Sequence, residues 1–388
     1  MRAGVAGLVA VVAVLVTVVL HATHSDPLVT RLLSADMRGL HVDFDTFHHS
    51  AVVLVEQPYG ADIYTTPALL TNLNPPLMTA LFAPFAAVDA LTGYRILAAL
   101  TLVAVVLALL AVARELRLGR AVTVAAVLAV VASSPLHGTL VLGQVYGLLL
   151  VGLVAGWVAQ RRGHPMPAAV LWGVTVALKP SLAPLLLLAA AVHRWRPLAA
   201  GVAAAAAATL VGALVAGPAN TVRWLGIALT EPVPGVTDNA SLPGLAVRFG
   251  APAPVGTLIG AAVLVGTLAY LARHRDRVDP AGTAPWAVLA AGLLVAPIAW
   301  HNYLLLVVPG VFVLLARRRL AVAAALLALP LVPIAWNGVL DGRPGGALAG
   351  SLYCAILVAH WAVLLREARG EPAVAERPRI ASGAAAPS

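Results

Sequence analysis

The chain has 388 residues, of which 61% are hydrophobic and 11% charged, with a mean hydropathy of +0.93 and a formal net charge of +9. A soluble domain carries roughly 25% charged residues, and no soluble core absorbs this much apolar surface. The basic residues are scattered among short breaks rather than gathered in a patch, which argues against a nucleic-acid partner, so the composition points to an all-α, polytopic protein whose solvent is the lipid bilayer.

In chain order, the apolar run at residues 4–20 behind Arg2 reads as an uncleaved first helix rather than a signal peptide. Further spans are expected at 94–112, 121–136, 139–159, 167–178, 181–192, 198–216, 256–272, 284–300, 303–316, 320–336 and 347–365, about 12 transmembrane helices in all. The breaks alternate in charge. Arg114, Arg117 and Arg120, then Arg161 and Arg162, Arg194 and Arg196, Arg273 to Arg277, Arg317 to Arg319, and Arg366 onward mark one side; residues 21–74, 217–255 and 337–346 hold nine of the 16 acidic residues. The positive-inside rule then places both termini in the cytoplasm and those three loops outside, within one cell-membrane domain over residues 1–369. Residues 75–90 would break this parity by crossing, so a re-entrant or interfacial segment is expected there.

Residues 167–192 lie between two basic breaks and must enter and return. Pro180 disfavours helix at the residue before it, so the turn falls at Lys179-Pro180 and carries the chain's single lysine to a hairpin tip. Residues 370–388, rich in Ala, Pro and Ser, read as a disordered cytoplasmic tail. The single Cys354 allows no disulfide framework.

The first outer loop, 21–74, gathers His41, Asp43, Asp45, His48 and His49. Three readings stand side by side: a solvated acidic loop, a divalent-metal site without standard ligand spacing, or a carboxylate acting as general base, Asp43 or Asp45, where a lipid-bound substrate meets an aqueous one. Lys179 is either a snorkelling lysine or a cation for a phosphate. Gln144 sits early in a span, where an amide must line a cavity or bond a neighbouring helix. Arg223 and Arg248 in the loop 217–255 are candidate phosphate or sugar contacts, and His301 beside Trp300 is an interfacial anchor or a site residue.

The ordered set VDFDTFHHSA, QPYGADIYTTP, NLNPPLMTALFAPF, GQVYGLLL, ALKPSLAPLLL, DNASLPGLAVR and PIAWHNY, from about residue 40 to 305, resembles glycosyltransferase family 87. The elements fall on Asp43-Phe44 with Phe47, Gly60 with Ile63-Tyr64, Pro75-Pro76, Gly143-Gln144, Lys179-Pro180, Asn239 to Arg248, and Trp300-His301. Phe47 stands where that family usually carries Tyr, and Trp300-His301-Asn302 shifts the family's histidine element by a position. The resemblance implies a C-type glycosyltransferase fold with a long first extracytoplasmic loop. It also implies a polyprenyl-phosphate sugar donor, mannose foremost, and transfer to a lipid- or glycan-linked hydroxyl with inversion to an α-linkage. In that scheme Asp43 is the base, with Asp45 as the fallback and His301 as a further catalytic group. Lys179, Gln144, Arg248, Asn239 and Tyr64 contact the donor, and no cofactor is required, although the His and Asp residues leave a divalent metal open. An arabinosyl donor is the near alternative. A transporter or flippase of a lipid-linked substrate is the alternative of another class, disfavoured by the lack of an internal repeat.

Overall fold

The computed structural model describes residues 3–23, 28–57, 61–333 and 345–369. Gly60, the greater part of the 337–346 loop and the tail 370–388 lie outside these residues. The described chain is all-helical and carries no sheet, only two isolated β-bridges. In order it forms α1 Ala3–Thr23, α2 Leu28–Leu33, α3 Val42–Glu56, α4 Pro76–Phe82 with a 3-10 turn Ala83–Ala87, α5 Ala90–Glu115, α6 Arg120–Val131, α7 Ser134–Leu142, α8 Tyr146–Arg161 and α9 Pro165–Leu178. A 3-10 turn Pro180–Leu186 leads to α10 Leu187–Ala191, α11 Trp195–Ala216, α12 Pro218–Thr230, α13 Leu242–Arg248, α14 Ala253–Arg273 and α15 Ala284–Val295. The 3-10 turn His301–Tyr303 then opens α16 Leu304–Ala316, followed by α17 Leu320–Ala328, α18 Gly346–Ala349 and α19 Leu352–Arg366. Proline occupies the first turn of α4, α7, α9, α12, α14 and α15, where its missing N–H costs no helical bond.

Among the described residues four stretches are long and apolar enough to cross a membrane, Ala90–Glu115, Trp195–Ala216, Ala253–Arg273 and Gly346–Arg366, or five if the pair α6–α7, bent by 51°, is one span. The remaining apolar helices are shorter. This makes a multi-pass membrane protein, in which several of the apolar runs expected as spans are short or broken helices. The runs expected at 121–136 and 139–159 are instead three pieces. Ser133-Ser134-Pro135 interrupts the first, and Gly143, at φ 73°, ends α7. The run at 181–192 begins as a 3-10 turn because Pro180 and Pro184 deny it an α-helical ladder.

Two ends of the bundle can be distinguished. At one, Glu115 pairs with Arg162 (2.9 Å), Arg161 and Trp157 bond the Ala281 carbonyl, Asp279 pairs with Arg317 (3.3 Å), and Glu367 pairs with Arg319 (3.3 Å). Arg275 meets His193, and Arg369 meets His274. The breaks expected to share one side by charge do meet there. The turn 83–87 packs on α3, and α4 packs on α11 at Gly212, near the C-terminal end of that helix. Residues 76–87 therefore stay with α3 at the opposite end, as two short helical pieces.

Candidate active site

Residues 28–57 of the loop 21–74 are more ordered than their polarity suggests. Phe44, Phe47, Ala51 and Leu54 are buried along one face of α3, and Phe44 and Phe47 pack with Phe82, while Phe44 also meets Phe85. His41 stacks on Tyr94 with ring centroids 3.6 Å apart and holds the Val141 carbonyl at 2.6 Å, which fixes the start of α3 against the end of α7. The closure of these helices needs Gly143, because a Cβ there would run into the Phe44 side chain and the backbone is already left-handed. The next residue, Gln144, is buried, and its Nε2 donates to Asp43 Oδ2 at 2.6 Å.

Asp43 is thus held by a neutral amide. Burial pushes its carboxyl up to about 6, while the hydrogen bond from Gln144 and the charge of Lys179 act in the opposite direction. Asp45, two residues on and about 200° round the helix, is buried and faces His49 (3.4 Å). His48 is bound to the Val88 carbonyl (3.0 Å) and His49 to the Asp45 carbonyl (2.8 Å). Among the described residues no group of three His, Cys, Asp or Glu side chains is placed to hold a metal ion.

Lys179 ends α9 at the hairpin tip, as Pro180 dictates. Its Nζ donates to Asn74 Oδ1 (2.9 Å) and lies 5.9 Å from the centroid of the Tyr303 ring. Asn74 is itself fixed: its carbonyl accepts from the Tyr64 hydroxyl (2.9 Å), and its amide donates to Asn72, whose own amide reaches Ser50 on α3 (3.0 Å) and Thr79 on α4 (3.3 Å). Residues 61–74 form a strap pinned to α12, where Asn220 bonds Ala61 and Ile63, Arg223 bonds Asp62 and Thr65, and Trp224 bonds the Leu73 carbonyl. The Tyr146 ring is tilted 58° to that of Tyr303, with centroids 4.7 Å apart, and lies close enough to Asp43 to feel its charge. Asp43, Gln144, Tyr146, Tyr303, Lys179 and Asn74 therefore form one continuous polar site, a carboxylate at one side and an ammonium at the other.

The model of glycosyltransferase family 87 matches residues 72–297. The chain belongs to glycosyltransferase family 87. Membership makes it a glycosyltransferase with a sugar donor and an acceptor. The match opens at Asn72, within the strap, and contains Gln144 and Lys179; it begins after Asp43 and ends before His301. No curated protein matches the chain.

In this family 87 enzyme the other expected site residues sit elsewhere. Tyr64 supports Asn74 through its hydroxyl, which burial makes harder to ionise. Asn239 is fully buried, with its amide on the Pro234 and Pro297 carbonyls and its Oδ1 accepting from Ala299 and Ser241. Arg248 donates to the carbonyls of Gly235, Val236 and Asn239 and to Ser351 Oγ. Both residues, expected on the donor, are used to frame the loop 231–241, and Arg223 is used in the Asp62 pair. His301, expected at a membrane surface, is 1% exposed, stacks on Tyr353 (4.8 Å) and leans on Gly138, while its backbone N–H reaches the Asp238 carbonyl (2.7 Å). The framed loop holds Asp238, whose carboxyl burial pushes up to about 7 against the pull of Arg248. Asn74 and Tyr303 were not singled out in the sequence, since neither type is distinctive alone; the NLNPP and HNY strings were the signal.

Proposed function

We propose that the enzyme transfers mannose from a polyprenyl phosphate to a lipid- or glycan-linked hydroxyl on the extracytoplasmic face, through a C-type glycosyltransferase fold. The observation that carries the reading is the pairing of an amide-held Asp43 with an amide-held Lys179 across one site. The acceptor oxygen attacks the anomeric carbon, its proton passes to Asp43, and the bond from that carbon to the phosphate oxygen breaks with its electron pair leaving on the polyprenyl phosphate. A carboxylate with a pKa near 6 is mostly ionised at neutral pH, as a base requires. The ammonium of Lys179 stabilises the charge that grows on the departing phosphate. Gln144 Oε1 is buried and has no hydrogen-bond partner among the described residues, so it is suited to accept from a sugar hydroxyl. A single displacement inverts the anomeric centre, so a β-linked donor gives an α-mannoside. In this reading the basic end faces the cytoplasm together with both termini.

The donor is tested by incubating membranes containing the enzyme with polyprenyl phosphates carrying labelled mannose, arabinose or glucose. Transfer of mannose is expected. Transfer only from the arabinosyl or glucosyl donor would retire the mannose assignment, and transfer from none of the three would retire the polyprenyl donor. For the orientation, Lys179→Cys should react with an impermeant maleimide from outside the cell; reaction only after the cytoplasmic side is opened would reverse it.

A further inference from the structure

α12 presents two opposite faces. Asn220, Trp224 and Ile227 turn toward the strap 61–74 and its surroundings, with Arg223 at the edge of that face, and Asn220, Arg223 and Trp224 bond the strap. At 3.6 residues per turn, Val222, Leu225 and Leu229 project from the opposite side. They are 69%, 46% and 84% exposed, and that side carries no charged residue. A helix lying against water would turn its polar face outward; α12 does the reverse.

The structure points to the outer leaflet of the bilayer as the occupant of this face: we infer that α12 is an interfacial helix, with its apolar side in the lipid and its polar side gripping the strap. Continuity favours lipid. α12 follows α11 after the single residue Gly217, whose φ of 89° breaks the helix, and the last turns of α11, a helix long enough to cross a membrane, expose Leu210, Val211, Leu214 and Val215. The lipid-facing surface of α11 therefore runs into the exposed side of α12. A second copy of the chain is the poorer fit, because three aliphatic side chains fall far short of the roughly 20–30 residues per partner in a standard protein interface. Amphipathic helices of this kind lie in the interface plane with the apolar side about 5–10 Å into the acyl boundary.

Through Asn220, Arg223 and Trp224 the depth of α12 fixes the height of the strap, and through Asn74 that of Lys179. This consequence rests on the proposed lipid-phosphate donor, whose phosphate lies at headgroup level. The location of α12 itself does not, and it is tested without reference to activity. Nitroxides are attached at Val222→Cys, Leu225→Cys and Leu229→Cys in the full chain reconstituted in lipid nanodiscs, with Leu214→Cys on α11 as the lipid-facing reference. The native Cys354 is buried, and labelling of the unsubstituted protein sets the background. Collision with molecular oxygen should exceed collision with a water-soluble nickel chelate at all three positions, as at Leu214. Dominant collision with the chelate would place the face in water, and protection from both reagents would place it against protein; either result overturns the inference.

Discussion

The two ends of the bundle carry charge in different ways. At the basic end each described carboxylate on the loops meets a guanidinium: Glu115 with Arg162, Asp276 with Arg275, Asp279 with Arg317, Glu367 with Arg319. At the other end Asp43 is held by the Gln144 amide and Lys179 by the Asn74 amide. An ion pair neutralises its members, whereas an amide orients a charge and leaves it for a substrate. An ion pair also lies at the Asp43 end, the exposed Arg223–Asp62 pair (2.8 Å), which ties the strap to α12. The basic end thus joins its loops by ion pairs, whereas amides hold Asp43 and Lys179 at the other end.

The largest effect is expected from Asp43→Asn, which keeps an acceptor for Gln144 and removes the proposed base. Loss of about 10²–10⁴-fold in transfer is expected, with a thermal midpoint unchanged or raised, since a desolvated carboxylate is replaced by a neutral group. Retained transfer at equal protein level would return Asp43 to a structural role. Next is Lys179→Met, expected to cost about 10²–10³-fold in kcat, the magnitude for removing one preorganised group at a developing charge. A change confined to KM would make Lys179 a binding residue only. Tyr64→Phe should act more gently, because it releases Asn74 by one hydrogen bond of about 1 kcal/mol; several-fold weaker transfer is expected, and Asn74→Ala should lose more than Tyr64→Phe. At the basic end, Glu115→Gln should leave kcat/KM unchanged and lower stability by about 1 kcal/mol or less, given an Arg162 that is 63% exposed. A large effect on catalysis there would erase the distinction between the ends.

Much of this division was legible in the sequence. The arginines that share one end, the hairpin tip at Lys179-Pro180 and the acidic residue at the start of α3 follow from charge alternation, proline geometry and the match in order of short motifs. The helical nature of α3 was also available, in the spacing of Phe44, Phe47, Ala51 and Leu54, but the polar residues of that loop masked it. What was not legible depends on distant partners. Asn74 gains its role only from a lysine 105 positions further on. Arg248 and Asn239 resemble ligand contacts in a sequence, yet the loop 231–241 makes few backbone hydrogen bonds of its own, and its buried carbonyls need donors; those two side chains supply them. The breaks in the apolar runs were not legible, because such a run does not show where a glycine or proline will end a helix until the tertiary contact, such as Gly143 against Phe44, is known.

In the proposed reaction Asp43 acts as the base and Gln144 tunes it. The most direct test of this claim is kcat/KM for sugar transfer in membranes as a function of pH, in the wild type and in Gln144→Leu. The folded carboxyl must be ionised to act, so activity should fall as pH drops through about 6. Removing the bond that lowers this pKa should move the acid limb to higher pH in the variant. A wild-type profile flat between pH 5 and 7, or a limb at the same pH in both proteins, would contradict the claim.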